Sequence, residues 1–128
     1  MNATTQLRAE MPFVVTLCAT PLLCEAVIGA LRGFADVRPF PAGARDVAGL
    51  LRSLAPDAVV VDRQEEAERA AAWAEETRTP LVHIALAERK LRLLVDGAWA
   101  DQPEMATTPT ENLRNTIVGA MYSRRREH

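Results

Sequence analysis

The run Pro56-Asp57-Ala58-Val59-Val60-Val61-Asp62 carries the clearest structural signal of this chain. Four apolar residues, three of them β-branched, stand unbroken between two aspartates. A continuous apolar run of this length is typical of a strand covered on both faces, as in the middle of a parallel sheet. Asp62 would then lie at the carboxyl end of the strand, where open α/β sheets place ligand and reaction sites. The functional question is whether Asp62 has the neighbours that it needs to react.

Upstream of this strand, the pattern alternates between strand and helix. Residues 13–18 predict a first strand by their β-branched content, and the pair Thr20-Pro21 predicts the N-cap and first turn of a first helix. A proline within residues 35–40 favours an edge strand there. Apolar residues at helical spacing over 47–54 predict a second helix.

The same alternation continues downstream. Glu65, Glu66 and Glu68 stand in the first turns of a third helix, where they suit its dipole, and we expect them to form a solvated face. The next apolar strand, residues 81–86, contains His83, which we expect to be a covered histidine because no second histidine lies near it. Strict alternation of strand and helix implies right-handed crossovers and a parallel sheet.

Residues 87–100 admit two interpretations. Asp96-Gly97 between apolar flanks is a hairpin signal, with a strand favoured at 91–95. The alternative is a short helix over 87–96, capped by Gly97 and followed by a brief strand.

The carboxyl-terminal part predicts a loop at 101–109 and a last helix with Thr110 as its N-cap and its end near Ser123. The apolar stripe of this helix consists of Leu113, Ile117, Val118 and Met121. We expect a flexible amino terminus at 1–10, one domain at 11–123 and a basic tail at 124–128.

Length and composition restrict the class of protein. The 128 residues suit one domain, and 48% apolar with 25% charged residues is the balance of a soluble globular protein. A net charge of −2 gives no reason to expect nucleic acid or an anionic membrane as a partner. The apolar runs are too short to span a bilayer, so the expected location is the cytoplasm, where the two cysteines remain thiols.

With its elements in this order, the chain resembles a response-regulator receiver domain over residues 12–122. The resemblance is carried by four segments: Leu17–Ala26, Leu54–Asp62, Gly97-Ala98 and Thr108–Leu113. It implies a flavodoxin-like α/β fold with a doubly wound, five-stranded parallel sheet, in which Asp62 takes the position of the phosphoacceptor. The segment before Gly97 is several residues short for this family, so we expect the fourth helix to be shortened or missing.

The positions that perform phosphoryl transfer in receivers are depleted here. Four pocket positions have lost the family's acidic, magnesium-binding or hydroxyl side chains: Cys18, Ala19, Thr20 and Ala85. The family's lysine after the fifth strand has no counterpart, because Lys90 precedes that strand. Phosphoryl transfer depends on positioning and charge neutralisation, and magnesium prefers carboxylate ligands. The resemblance therefore implies a pseudo-receiver that is not an enzyme and uses no metal or cofactor.

Two other interpretations of this pocket stay open. Asp62 could still be phosphorylated, or its carboxylate could simply cap the third helix. Cys18 lies at a strand end beside a helix N-terminus, which lowers a thiol pKa, and the sulfur-phosphorylated subunits of sugar phosphotransferase systems place a cysteine similarly. Pro21 removes an amide donor from such a phosphate nest, so we expect a buried, inert thiol.

The expected function is regulation through a protein partner or through homodimerisation. Receivers commonly make subunit contacts through the fourth helix, fifth strand and last helix. The resemblance thus implies an interface with these candidate residues: Leu91, Leu93, Val95, Trp99, Leu113, Ile117, Met121 and Tyr122. No output domain follows, so we expect either a stand-alone adaptor or a fragment of a longer regulator.

Overall fold

In the computed structural model of the protein, which describes residues 11–102 and 109–126, strand and helix alternate up to the fourth strand. The expected flexible residues 1–10 and residues 103–108 of the predicted loop lie outside the described residues. The strands are β1 (Phe13–Cys18), β2 (Asp36–Pro41), β3 (Ala58–Val61), β4 (Leu81–Ala85), β5 (Lys90–Val95) and β6 (Ala98–Asp101). The helices are α1 (Pro21–Leu31), α2 (Val47–Leu54), α3 (Gln64–Thr77) and α4 (Pro109–Arg126).

The strands form one mixed sheet in the order β2-β1-β3-β4-β5-β6. Its first four strands are parallel, whereas β5 runs antiparallel to β4, and β6 antiparallel to β5. The α/β class is therefore confirmed, but the expected sheet of five parallel strands is wrong. A parallel fifth strand needs a crossover of a dozen or so residues, usually helical. The chain supplies only a turn at residues 86–89, so β5 folds straight back along β4.

The structure decides between the two interpretations of residues 87–100 in favour of the hairpin. Strands β5 and β6 pair across the two-residue turn Asp96-Gly97. Both turn residues have positive φ, 48° and 81°, as the tight turns that match the twist of paired strands require.

Two pairs of helices cover the two faces of the sheet. Helices α1 and α4 pack on one face against Val14, Val60 and Val82, and helices α2 and α3 pack on the other. Strand β3 is fully buried on both faces, as its unbroken apolar run predicts. The carboxyl ends of β1, β3 and β4 therefore meet at one edge of the sheet, next to the loops that precede α1 and α3.

Helix α4 differs from its prediction at both ends. It begins at Pro109 rather than after Thr110, because proline fits the first turn of a helix. It continues through Arg126 instead of ending near Ser123, so three residues of the expected basic tail are helical. The Arg114 side chain holds α4 against α1: its Nε donates to the Ala30 carbonyl at 2.8 Å.

Candidate functional site

The Asp62 carboxylate binds the backbone of the loop that follows β1. The Ala19 N–H lies 2.9 Å from both carboxylate oxygens, and the Thr20 N–H donates to Oδ2 at 3.0 Å. The structure thus brings Asp62, Ala19 and Thr20 together at the carboxyl ends of the parallel strands. Both oxygens of the candidate phosphoacceptor serve as hydrogen-bond acceptors for backbone amides.

This arrangement corrects the idea that Asp62 caps the third helix. The N-cap of α3 is Arg63, which makes no side-chain capping bond. Thr20 is the N-cap of α1 as predicted, but its side chain makes no capping bond either. Asp62, which follows β3, accepts instead from the amides of Ala19 and Thr20, the two residues that precede the first residue of α1.

Asp57, the other aspartate beside β3, binds the opposite end of β1. Its Oδ2 accepts the Phe13 N–H at 2.8 Å. The two aspartates that bracket the central strand therefore hold the two ends of the neighbouring strand. This geometry indicates a structural role for both carboxylates.

Glu66 is a second carboxylate that anchors a loop at the same edge, and the sequence prediction for it was wrong. Its side chain accepts the Gly43 N–H at 2.9 and 3.2 Å, and only 3% of the residue is exposed. Glu65 and Glu68 are exposed, as predicted for a solvated face. Glu66 differs because the first turn of α3 directs this one position under the loop that follows β2. Its spacing of four and seven residues from Ala70 and Trp73, on the buried face of α3, was the available signal.

Cys18 lies beside these carboxylates with the electrostatics of an inert thiol. Burial, followed by the charges of Asp62, Cys24 and Glu66, raises the pKa of Cys18 from an ordinary value of 9.0 to about 12. The residue is 9% exposed. A thiol nucleophile needs the opposite shift, so the helix N-terminus does not dominate here.

Ala85 and Lys90 are paired residues on the neighbouring strands β4 and β5. Ala85 is buried at the end of β4 and offers only a methyl group. Lys90 is directly opposite it on β5, but its Nζ lies 3.2 Å from Asp101 Oδ2 rather than on Asp62. In the part of the chain that the structure describes, no group of three or more His, Cys, Asp or Glu side chains could hold a metal ion.

His83 is a covered histidine, as predicted. It is 6% exposed and makes an edge contact with the Trp99 ring, with ring centroids 6.0 Å apart. Burial, and then the neighbouring Arg92 charge, lowers the pKa of His83 below its ordinary value of 6.5. This shift favours the neutral form of the ring.

The predicted interface divides into buried and accessible residues. Leu113, Ile117 and Met121 are at most 5% exposed, because the apolar stripe of α4 covers the sheet. Their assignment to an interface is therefore wrong. Five of the candidates remain partly or well exposed: Leu91, Leu93, Val95, Trp99 and Tyr122.

A groove of about 850 Å³ lies near the amino ends of the parallel strands, whereas Asp62 lies at their carboxyl ends. The carboxyl end of α3, strand β5 and one side of α4 line it, with Arg78, Leu93, Val95 and Ala120 among its residues. Its position separates it from the Asp62 pocket.

No helix within residues 11–102 and 109–126 is both long and apolar enough to cross a membrane.

Comparison of the chain with protein-family models, with curated proteins and with solved structures gave no match in any of the three.

Proposed function

We propose that this protein is a receiver-like signalling module that works through protein contacts and is not phosphorylated at Asp62. The observation that carries this proposal is the engagement of both Asp62 oxygens by the Ala19 and Thr20 amides. The order of the four parallel strands, β2-β1-β3-β4, agrees with a flavodoxin-like arrangement in which Asp62 follows the central strand. The module keeps the frame of a phosphorylation switch and uses its aspartate as an anchor.

The chemistry around Asp62 supports the absence of phosphorylation. A phosphoacceptor carboxylate must present an oxygen to the incoming phosphorus while cations neutralise the developing charge. Residues 18–20 supply no carboxylate for magnesium, and the Lys90 ammonium is bound to Asp101. Backbone amides therefore hold Asp62 in place of the charged groups that would activate it.

The thiol chemistry considered for Cys18 has less support. A raised pKa leaves almost no thiolate at neutral pH, and the thiolate is the reactive form. Pro21 also takes one amide donor from the start of α1.

The β5–β6 hairpin is the surface on which we place the protein contacts. It lies at the end of the sheet, where the helices of both faces leave β5 only half-buried. Val95 is 45% exposed, and Trp99 and Leu94 are half-buried. Large apolar side chains that remain accessible at an edge are suited to a partner.

The test is phosphorylation by a small donor. The full chain is incubated with acetyl phosphate and Mg²⁺ and its intact mass is measured. We expect no change in mass, both for the unaltered protein and for Asp62→Asn. A gain of one phosphoryl group that disappears in Asp62→Asn contradicts the proposal, and a gain that disappears in Cys18→Ser instead assigns the chemistry to the thiol.

A further inference from the structure

Strand β6 forms an open edge of the sheet with a definite pattern of backbone groups. Within the described residues it pairs with β5 alone. The Gln102 N–H donates to the Leu91 carbonyl at 2.7 Å, so residue 102 directs its backbone towards β5. Because directions alternate along an antiparallel ladder, the N–H and C=O groups of Trp99 and Asp101 point away from β5. The edge therefore offers two donors and two acceptors to another strand.

The two edges of the sheet differ in their protection. Strand β2, at the far edge, contains Pro39 and Pro41 and an exposed ion pair between Asp36 and Arg38 at 3.4 Å. Proline and charge are the features with which proteins block pairing at edge strands. Strand β6 has no proline, and the charge of its Asp101 is already compensated within the hairpin by Lys90 and Arg92. Of the two edge strands that the structure describes, β6 is therefore the one suited to accept a further strand.

We propose that two copies of this protein join through their β6 strands, antiparallel about a two-fold axis at Ala100. This inference rests on the proposed function, because it names a second copy as the partner of the hairpin. A two-fold axis perpendicular to the sheet keeps each face on its own side, so residues opposite one another must share a face. Trp99 and Asp101 do so, since they are two residues apart on one strand.

The register follows from the backbone pattern. With Trp99 opposite Asp101 of the second copy, all four outward groups of each edge are used, and four N–H···O bonds form. With Trp99 opposite Trp99 of the second copy, Asp101 would face the Gly97 turn, and half of these bonds would be lost. The first register also places an indole N–H across from a carboxylate, twice by symmetry.

The side chain on the axis permits the close approach of the strands. Ala100 is exposed and carries only a methyl group, so two strands can come to a spacing of about 4.8 Å. The edge is self-complementary, because the groups that donate on one copy meet the groups that accept on the other. An edge of four residues is small beside the roughly 1,600 Å² of a standard interface, so we expect a dimer in rapid exchange with monomer.

Sedimentation equilibrium of the full chain, over protein concentrations on the order of 1 µM to 1 mM, tests self-association. Asp101→Pro removes an N–H that points out of the hairpin, so the ladder with β5 is kept while the edge is blocked. Its matched control, Asp101→Ala, loses the carboxylate but keeps the N–H. We expect Asp101→Pro to weaken dimerisation about tenfold or more, and Asp101→Ala to weaken it less.

Cysteine cross-linking tests the register. In the proposed dimer the two copies of Ala100 form a non-hydrogen-bonded pair with Cα atoms about 4.5 Å apart, within the range of a disulfide. Ala100→Cys should give a disulfide-linked dimer under mild oxidation, whereas Ala98→Cys, which faces residue 102 of the second copy, should not. The unaltered chain gives the background from its two native cysteines.

Three results overturn the inference: a monomer at every concentration, an Asp101→Pro variant that dimerises as the unaltered chain does, or equal cross-linking at positions 98 and 100. A monomer that is also unphosphorylated leaves an extended segment of another protein as the occupant of the edge and leaves the proposed function standing. Phosphorylation of Asp62 in a dimeric protein contradicts the proposed function and leaves the edge pairing.

Discussion

Both carboxylate oxygens of Asp62 lie 2.9 Å from the backbone nitrogen of Ala19. The two residues are 43 positions apart and belong to the ends of adjacent parallel strands. This contact holds the loop before α1 in place. Its consequences can be measured as stability and as reactivity.

Removal of the Asp62 carboxylate should loosen the start of α1. We expect Asp62→Ala to lower the free energy of unfolding by about 1–2 kcal/mol, because the Ala19 and Thr20 amides lose their acceptor. Asp62→Asn keeps one side-chain oxygen and should cost less. Urea unfolding measures both, with Glu68→Ala as an exposed control. Equal stability of Asp62→Ala and the control contradicts the anchoring role.

Glu66 should contribute more to stability than its neighbours on α3. Glu66→Ala removes a buried carboxylate and leaves the Gly43 N–H without it, so we expect a loss of about 1–3 kcal/mol. Glu65→Ala, on an exposed side chain that makes a 3.9 Å ion pair with Arg63, should change stability by less than about 0.5 kcal/mol. Thermal and urea unfolding of the two variants provide the comparison, and a reversed order would show that Glu66 does not anchor the loop.

Cys18 should resist alkylation in the folded protein. Its raised pKa keeps it protonated at pH 8, and the residue is buried. Iodoacetamide should therefore label Cys24 alone in native protein and both cysteines in urea. Mass spectrometry of the digested protein locates the label, and rapid native labelling of Cys18 at pH 8 would contradict this.

The raised pKa of the Cys18 thiol also sets the direction in which pH changes the stability of the fold. In the folded state Cys18 holds its proton up to about pH 12, whereas an unperturbed thiol releases it near 9.0. Between these values the folded state binds more protons than the unfolded chain, so stability falls as pH rises from about 9 to about 12. Cys18→Ala lacks this contribution, and its unfolding temperature should decline less steeply over the window.

His83 should titrate below an ordinary histidine. Burial is the main cause of its lowered pKa, and the Arg92 charge is the next. In the folded state His83 binds fewer protons than in the unfolded chain, so its contribution to stability is lost as pH falls below 6.5. Arg92→Ala should move the titration of the His83 ring signal in proton NMR towards higher pH. An unchanged His83 titration would assign the lowering to burial alone.

Local patterns in the sequence were sufficient for several elements. The unbroken run Ala58–Val61 predicts a strand buried on both faces, because no polar residue interrupts it, and its burial is complete. Asp96-Gly97 predicts a hairpin, because few other residues adopt the positive φ angles of a tight turn. Strand, helix and turn signals of this kind lie within a few neighbouring residues and act before the chain is folded.

The direction of β5, the partners of Asp62 and the burial of Glu66 were decided by the tertiary structure. A short turn after β4 makes β5 antiparallel to it. The residues of β5 predict a strand, but they do not predict whether that strand runs parallel or antiparallel to its neighbour. Asp62 is bound by backbone amides 42 and 43 residues away. Ile117 is buried because the apolar stripe of α4 packs against the sheet of its own chain. By itself the sequence determined which segments are strands and helices. Which side chains meet depends on how those segments are arranged in space, since hydrogen bonding and burial act between parts of the chain that local pattern does not connect.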